Sequence, residues 1–93
     1  MPAGGEAEVI MQNIAFQPQE ITVQPGMTVT WVNQDSVPHT VTAGTRENPT
    51  GMFDSGNIPP DGTFQFTFEE PGTYDYFCSI HEGMDGVVVV EQQ

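Results

Sequence analysis

Nowhere does this 93-residue chain sustain the 3.6-residue apolar period of a helix, while short runs of two-residue alternation recur between clusters of Pro, Gly, Asn and Asp. Alternation places every second side chain on one face, so each such run reads as a half-buried strand. Met27 to Gln34 is the clearest, with Met27, Val29 and Trp31 on one face and Thr28 and Thr30 on the other. Thr63 to Phe68 places Phe64, Phe66 and Phe68 together, a packed inner face rather than a base-stacking platform, because basic residues are absent. Ala7 to Ile14, with Val9, Met11 and the later Phe16, reads as an opening strand, and Glu20 to Val23 as a short second one. Pro25-Gly26 then supplies the fixed φ and the positive φ that a type II turn needs.

The second half follows the same grammar. Glu69-Glu70-Pro71-Gly72 turns the chain into Thr73 to Cys78, and four consecutive valines within Gly86 to Glu91 read as a strand buried on both sides. Tyr74, just after Pro-Gly, resembles the tyrosine corner of Greek-key sandwiches, so its hydroxyl is expected on a nearby backbone group. Gly44 to Gly62 is the least regular stretch, with Met52, Phe53 and Ile58 expected to anchor it. The whole predicts an all-β, Greek-key β-sandwich of about seven to eight strands. It is expected to form one domain over 1–93, with 1–6 as a flexible extension. A chain of this size closes around one core, burying roughly 60% of its unfolded surface.

Charge narrows the partners. Thirteen acidic residues face a single basic one, Arg46, for a formal net charge of -12. A nucleic-acid partner is excluded, since that binding depends on Lys and Arg neutralising phosphates. Two readings of the acidity stand side by side: solubility or high-salt adaptation, and electrostatic steering toward a basic partner. No apolar run approaches the length of a membrane span, and the single cysteine rules out an internal disulfide.

That cysteine is the centre of the chain's chemistry. Cys78 precedes His81 by three residues, and His81 precedes Met84 by three; the only other histidine is His39. Taken singly, a cysteine is a small hydrophobe, a histidine a satisfied polar group and a methionine a gap-filler. Together, two imidazoles, one thiolate and a weak thioether are the donor set of a blue-copper electron-transfer site. Zinc is the competitor, but structural zinc sites favour several thiolates, and a thioether adds little to them.

The motifs Pro38-His39-Thr40-Val41, Pro71-Gly72-Thr73-Tyr74 and Cys78-x-x-His81-x-x-Met84 resemble those of the small cupredoxins, of plastocyanin and amicyanin type, over nearly the whole chain. The resemblance implies one copper ion cycling between Cu(I) and Cu(II), with His39, Cys78 and His81 in the metal plane and Met84 as the long axial ligand. It implies a non-enzymatic, monomeric electron shuttle that docks near His81 on a donor and an acceptor: a cytochrome, a dehydrogenase, or a photosynthetic or respiratory complex. A carrier of exchangeable copper is the alternative. Thr40 stands where relatives often have asparagine, and Ile80 where plastocyanin-like proteins often have proline. An exported location is expected too, periplasmic, lumenal or on the outer face of a membrane. Met1 to Gly5 carries no secretory signal, which is read as a trimmed start.

Overall fold

The computed structural model describes residues 6–92, and two facing sheets account for its strands. β1 (Glu6–Met11), β2 (Phe16–Gln17), β4 (Met27–Asn33) and β7 (Thr63–Phe68) form one sheet in the order β2-β1-β4-β7. β3 (Glu20–Val23), β9 (Asp85–Val90), β8 (Gly72–Phe77), β5 (Thr42–Gly44) and β6 (Pro49–Asp54) form the other in the order β3-β9-β8-β5-β6. Both sheets are mixed: β1 runs parallel to β4, and β3 parallel to β9. The expected all-β sandwich is therefore present, with nine strands among the described residues. The expected 1–6 extension falls outside the described residues except for Glu6, which already pairs with Thr28.

The alternations sort as the pleat requires. Val9, Met11, Val29 and Trp31 turn inward from β1 and β4, while Val88 and Val90 turn inward from β9. Trp31 is fully buried, and its ring lies 5.7 Å from Phe64 in its own sheet and 5.3 and 6.1 Å from Tyr76 and Phe53 in the other. The indole thus bridges the two layers, beside the Phe16–Tyr76, Phe53–Phe66 and Phe68–Tyr74 ring pairs that also cross between them. Gly26 takes φ 91°, and Met27 N–H bonds the Gln24 carbonyl, so the Pro25-Gly26 turn closes as expected. The Tyr74 hydroxyl donates to the Glu70 carbonyl at 2.7 Å, which is the tyrosine corner.

Three expectations are corrected. The opening strand stops at Met11 instead of Ile14, because Asn13 and Ile14 take positive φ and turn the chain into β2. β9 is buried on one face only: Val87 and Val89 stay half-exposed, since β3 and β8 cover the strand's two edges and not its outer side. Of the anchors expected in 44–62, Phe53 and Ile58 are buried, but Met52 is 45% exposed, because strand β6 runs through it and points it outward.

Tyr76 lies across from Gly86 in the β8–β9 ladder, and a Cβ at Gly86 would sit 2.4 Å from the Tyr76 ring. The glycine leaves room for the ring. The Tyr76 hydroxyl and the Trp31 indole N–H are both buried without a hydrogen-bond partner. Burial pushes the Tyr76 phenol up to about 12; the nearby Trp31 N–H eases this slightly, without meeting hydrogen-bond geometry. The unfolded chain releases that proton near its ordinary value of 10.0, so stability is lost as pH rises from there through the folded value, by roughly 3 kcal/mol in all. Tyr76→Phe is expected to abolish this alkaline loss. At neutral pH it is expected to leave the fold as stable or more so, since it removes a buried hydroxyl that bonds nothing. Urea unfolding of both proteins at about pH 9 and about pH 12 checks it, and equal losses in the two would contradict the assignment.

Candidate metal centre

The site begins at the end of β4. Asn33 is fully buried, and its amide donates to the carbonyls of Val37 at 2.9 Å and Ile58 at 3.0 Å, while its Oδ1 accepts from Asp35 N–H at 2.9 Å. One side chain thereby shapes the loop that carries Asp35 and His39. Pro38 keeps the approach to His39 extended. His39 then makes a two-way backbone bridge with Ile58, its N–H to the Ile58 carbonyl at 3.1 Å and the reverse at 2.7 Å.

His39 is fully buried, and both ring nitrogens have neighbours. Nε2 lies 2.7 Å from Asp35 Oδ2, and a carboxylate can only accept, so Nε2 carries the proton. That leaves the Nδ1 lone pair facing Cys78 Sγ, 3.8 Å away. The Asp35 carboxylate also accepts the amides of Asn13 at 2.7 Å and Ile14 at 2.9 Å, tying the β1–β2 turn to the histidine. Partial burial pushes the Asp35 carboxyl up, but the Ile14 amide, the His39 ring and the Asn13 amide outweigh it and hold the group below its ordinary value.

The pairing of β5 with β8, Thr42 with Phe77, sets the second loop beside the first. Cys78 follows β8, fully buried, and its N–H bonds the Met84 carbonyl at 2.9 Å, closing the loop 78–84. Thr40 N–H points at Cys78 Sγ from 3.3 Å. The Thr40 hydroxyl accepts the Ser79 amide at 2.8 Å and lies 3.1 Å from the Ser79 and Thr42 hydroxyls. The threonine therefore does tie the two loops together. The N–H that reaches the sulfur is that of Thr40; Ile80, 43% exposed, sits at the surface.

His81 is half-buried, with its ring edge-on to His39, centroids 4.9 Å apart. Its Nε2 is enclosed and bonds nothing, an orphan of the kind a metal ion satisfies. Met84 is buried. Among the described residues, no three His, Cys, Asp or Glu side chains are gathered closely enough to enclose an ion by themselves. The residue types nevertheless fit copper: imidazole nitrogens, a sulfur with an amide donor, and a buried thioether. Sequence reasoning missed Asn33, Asp35 and Arg46. Asp35 had one available signal, its position four residues before His39; Arg46 had another, as the chain's only cation.

Comparison with known proteins places these features. The family described as copper binding proteins, plastocyanin/azurin family, matches residues 3–91. Amicyanin-alpha of Methylorubrum extorquens is 34% identical, over 94% of this chain and 73% of its own length. Plastocyanin of Scenedesmus fuscus is 34% identical, over 84% of this chain and 88% of its own. The chain spans 61 to 73% of the three amicyanins it matches. Among solved structures, a purple cupredoxin from Nitrosopumilus maritimus superposes with TM-score 0.84 at 32% identity, covering 91% of this chain and 99% of that one. An amicyanin mutant in its Cu(I) form gives 0.83 at 33% identity, covering 97% and 86%.

Proposed function

Because the chain belongs to the plastocyanin/azurin family of copper-binding proteins, we propose that it carries single electrons between larger redox proteins, with His39, Cys78, His81 and Met84 holding the ion. The observation that carries this reading is the buried approach of His39 Nδ1 to Cys78 Sγ, two soft donors 39 residues apart in sequence. Copper, when bound, supplies a centre that gains and loses one electron between Cu(I) and Cu(II). The chain does the rest. Asp35 fixes the His39 tautomer, Thr40 N–H stabilises negative charge on the sulfur, and burial of His39, Cys78 and Met84 keeps water out. Ligands held from two hydrogen-bonded loops keep one arrangement in both oxidation states, which is what a carrier needs.

Electrons are read as crossing near His81, where the exposed apolar side chain of its neighbour Ile80 offers a docking rim for a redox protein. The protein is read as a single-domain monomer, a carrier and not an enzyme, working outside the cytoplasm as the resemblance implies. Titrating the metal-free protein with Cu(II) is expected to develop intense visible absorption saturating at one equivalent, with reversible voltammetry, and Cys78→Ser is expected to lose the absorption. Uptake without colour, or colour retained in Cys78→Ser, would overturn the ligand set. Rapid loss of copper to a chelator would favour the exchangeable carrier instead.

A further inference from the structure

The one positively charged side chain of the sequence is spent beneath the ligand loop. Arg46 stands in the hairpin turn between β5 and β6, where Thr45 and Asn48 exchange backbone hydrogen bonds at 3.0 and 3.3 Å. Its side chain is only 26% exposed. Nη1 donates to the Cys78 carbonyl at 3.0 Å; Nη2 donates to the His81 carbonyl and, at 3.4 Å, to that of Met84. The guanidinium also lies over the Phe77 ring, 5.2 Å from its centroid, and 3.5 Å from Asp85 Oδ1.

The three acceptors are the backbone carbonyls of the three loop residues read above as ligands. A loop that turns its side chains toward a metal leaves carbonyls needing donors on its other side, and Gly83, at φ 80°, is where this loop bends. A guanidinium presents five donors in a rigid planar fork and can serve several acceptors at once, whereas an ammonium is a compact point charge with three diverging donors. Solubility does not explain a lone arginine in a chain with thirteen acids, since a cation lowers the net charge that keeps such a chain apart.

We propose that Arg46 is a positioning residue: it gathers the carbonyls of Cys78, His81 and Met84 and holds the 78–84 loop in its copper-receiving shape before the ion arrives. This rests on the ligand set of the proposed function, and it has two separable consequences. The fork sets the shape of the loop. The charge disfavours the additional positive charge of the oxidised centre, so it raises the reduction potential.

The test compares the wild type with Arg46→Met, Arg46→Lys and Asp85→Asn. It follows amide hydrogen exchange of residues 78–84 in the metal-free proteins, copper release to a chelator, and the reduction potential. Arg46→Met is expected to speed exchange and release by about tenfold or more, the loss of charge-assisted hydrogen bonds, and to lower the potential. Arg46→Lys is expected to restore the potential while recovering only part of the protection. Asp85→Asn, which removes the ion pair and leaves the carbonyl contacts, is expected to exchange like the wild type. Unchanged exchange and release in Arg46→Met would overturn the proposal. Should that variant not fold, Arg46→Lys decides: full protection with lysine refutes the fork. The exchange measurement contains no copper, so a wild type that takes up no metal would defeat the ligand set while leaving the loop clamp to be judged on its own result.

Discussion

Trp31→Ala is expected to remove about 3–5 kcal/mol from the stability of the fold, a large part of the about 5–15 kcal/mol that a domain usually has. The indole is fully buried and is the one ring within 6.5 Å of Phe64 and Phe68 on one side and of Tyr76 and Phe53 on the other. Truncating it opens a cavity between the sheets that these rings cannot collapse to fill, because each is held by its own strand. Trp31→Phe keeps most of the apolar contact and discards an indole N–H that bonds nothing, so its loss should be much smaller. Equilibrium urea unfolding of the three metal-free proteins measures both. A Trp31→Ala loss no larger than that of Trp31→Phe would mean that the other ring pairs between the sheets, such as Phe16–Tyr76 and Phe53–Phe66, hold them without the indole.

Asp35→Ala is expected to weaken copper binding by about 10- to 100-fold, the usual effect of removing the carboxylate that orients a ligating histidine. The change frees His39 to adopt the other tautomer, with its proton on Nδ1 facing the Cys78 sulfur, and leaves the Asn13 and Ile14 amides without their acceptor. Asp35→Asn can keep one amide oxygen as acceptor and should fall between. Because the folded carboxyl is held below its ordinary value of 3.8, the stability it contributes is present above that value. It is lost as pH falls below it, and Asp35→Ala should flatten the acid limb of the stability curve. Copper titration against a competing chelator, with acid unfolding followed in parallel, checks both statements. Wild-type affinity in Asp35→Ala would show that packing alone orients His39.

What the sequence made legible is what repeats locally. The alternation around Trp31, the Pro25-Gly26 turn and the tyrosine corner at Tyr74 are all short-range signals, and each has its counterpart in the structure; the soft donors in Cys78-x-x-His81-x-x-Met84 are as local in sequence, and their joint role as ligands belongs to the proposal. What escaped depends on partners far along the chain. β6 is irregular by its residues and becomes a strand only because β5 offers an edge, with a register shift between Thr42 and Gly44. Arg46 lies in that opaque stretch, and nothing beside it in sequence announces carbonyls more than thirty residues away. Asp35 read as turn chemistry, which it also is; its second duty appears only when His39 folds back over it. The four valines of β9 looked enclosed because composition registers apolarity, and it does not register which flank of a strand meets solvent.

The register between β5 and β8 carries a consequence in time. Thr42 opposes Phe77, so the neighbours of both, His39 and Cys78, come side by side only once a segment from the chain's middle has found one from near its end. A nascent polypeptide still lacking its last strands owns the first imidazole and none of the sulfurs or nitrogens of 78–84. The proposed ligand set is therefore complete only in the finished architecture, when the pairing of β5 with β8 has set the two loops side by side.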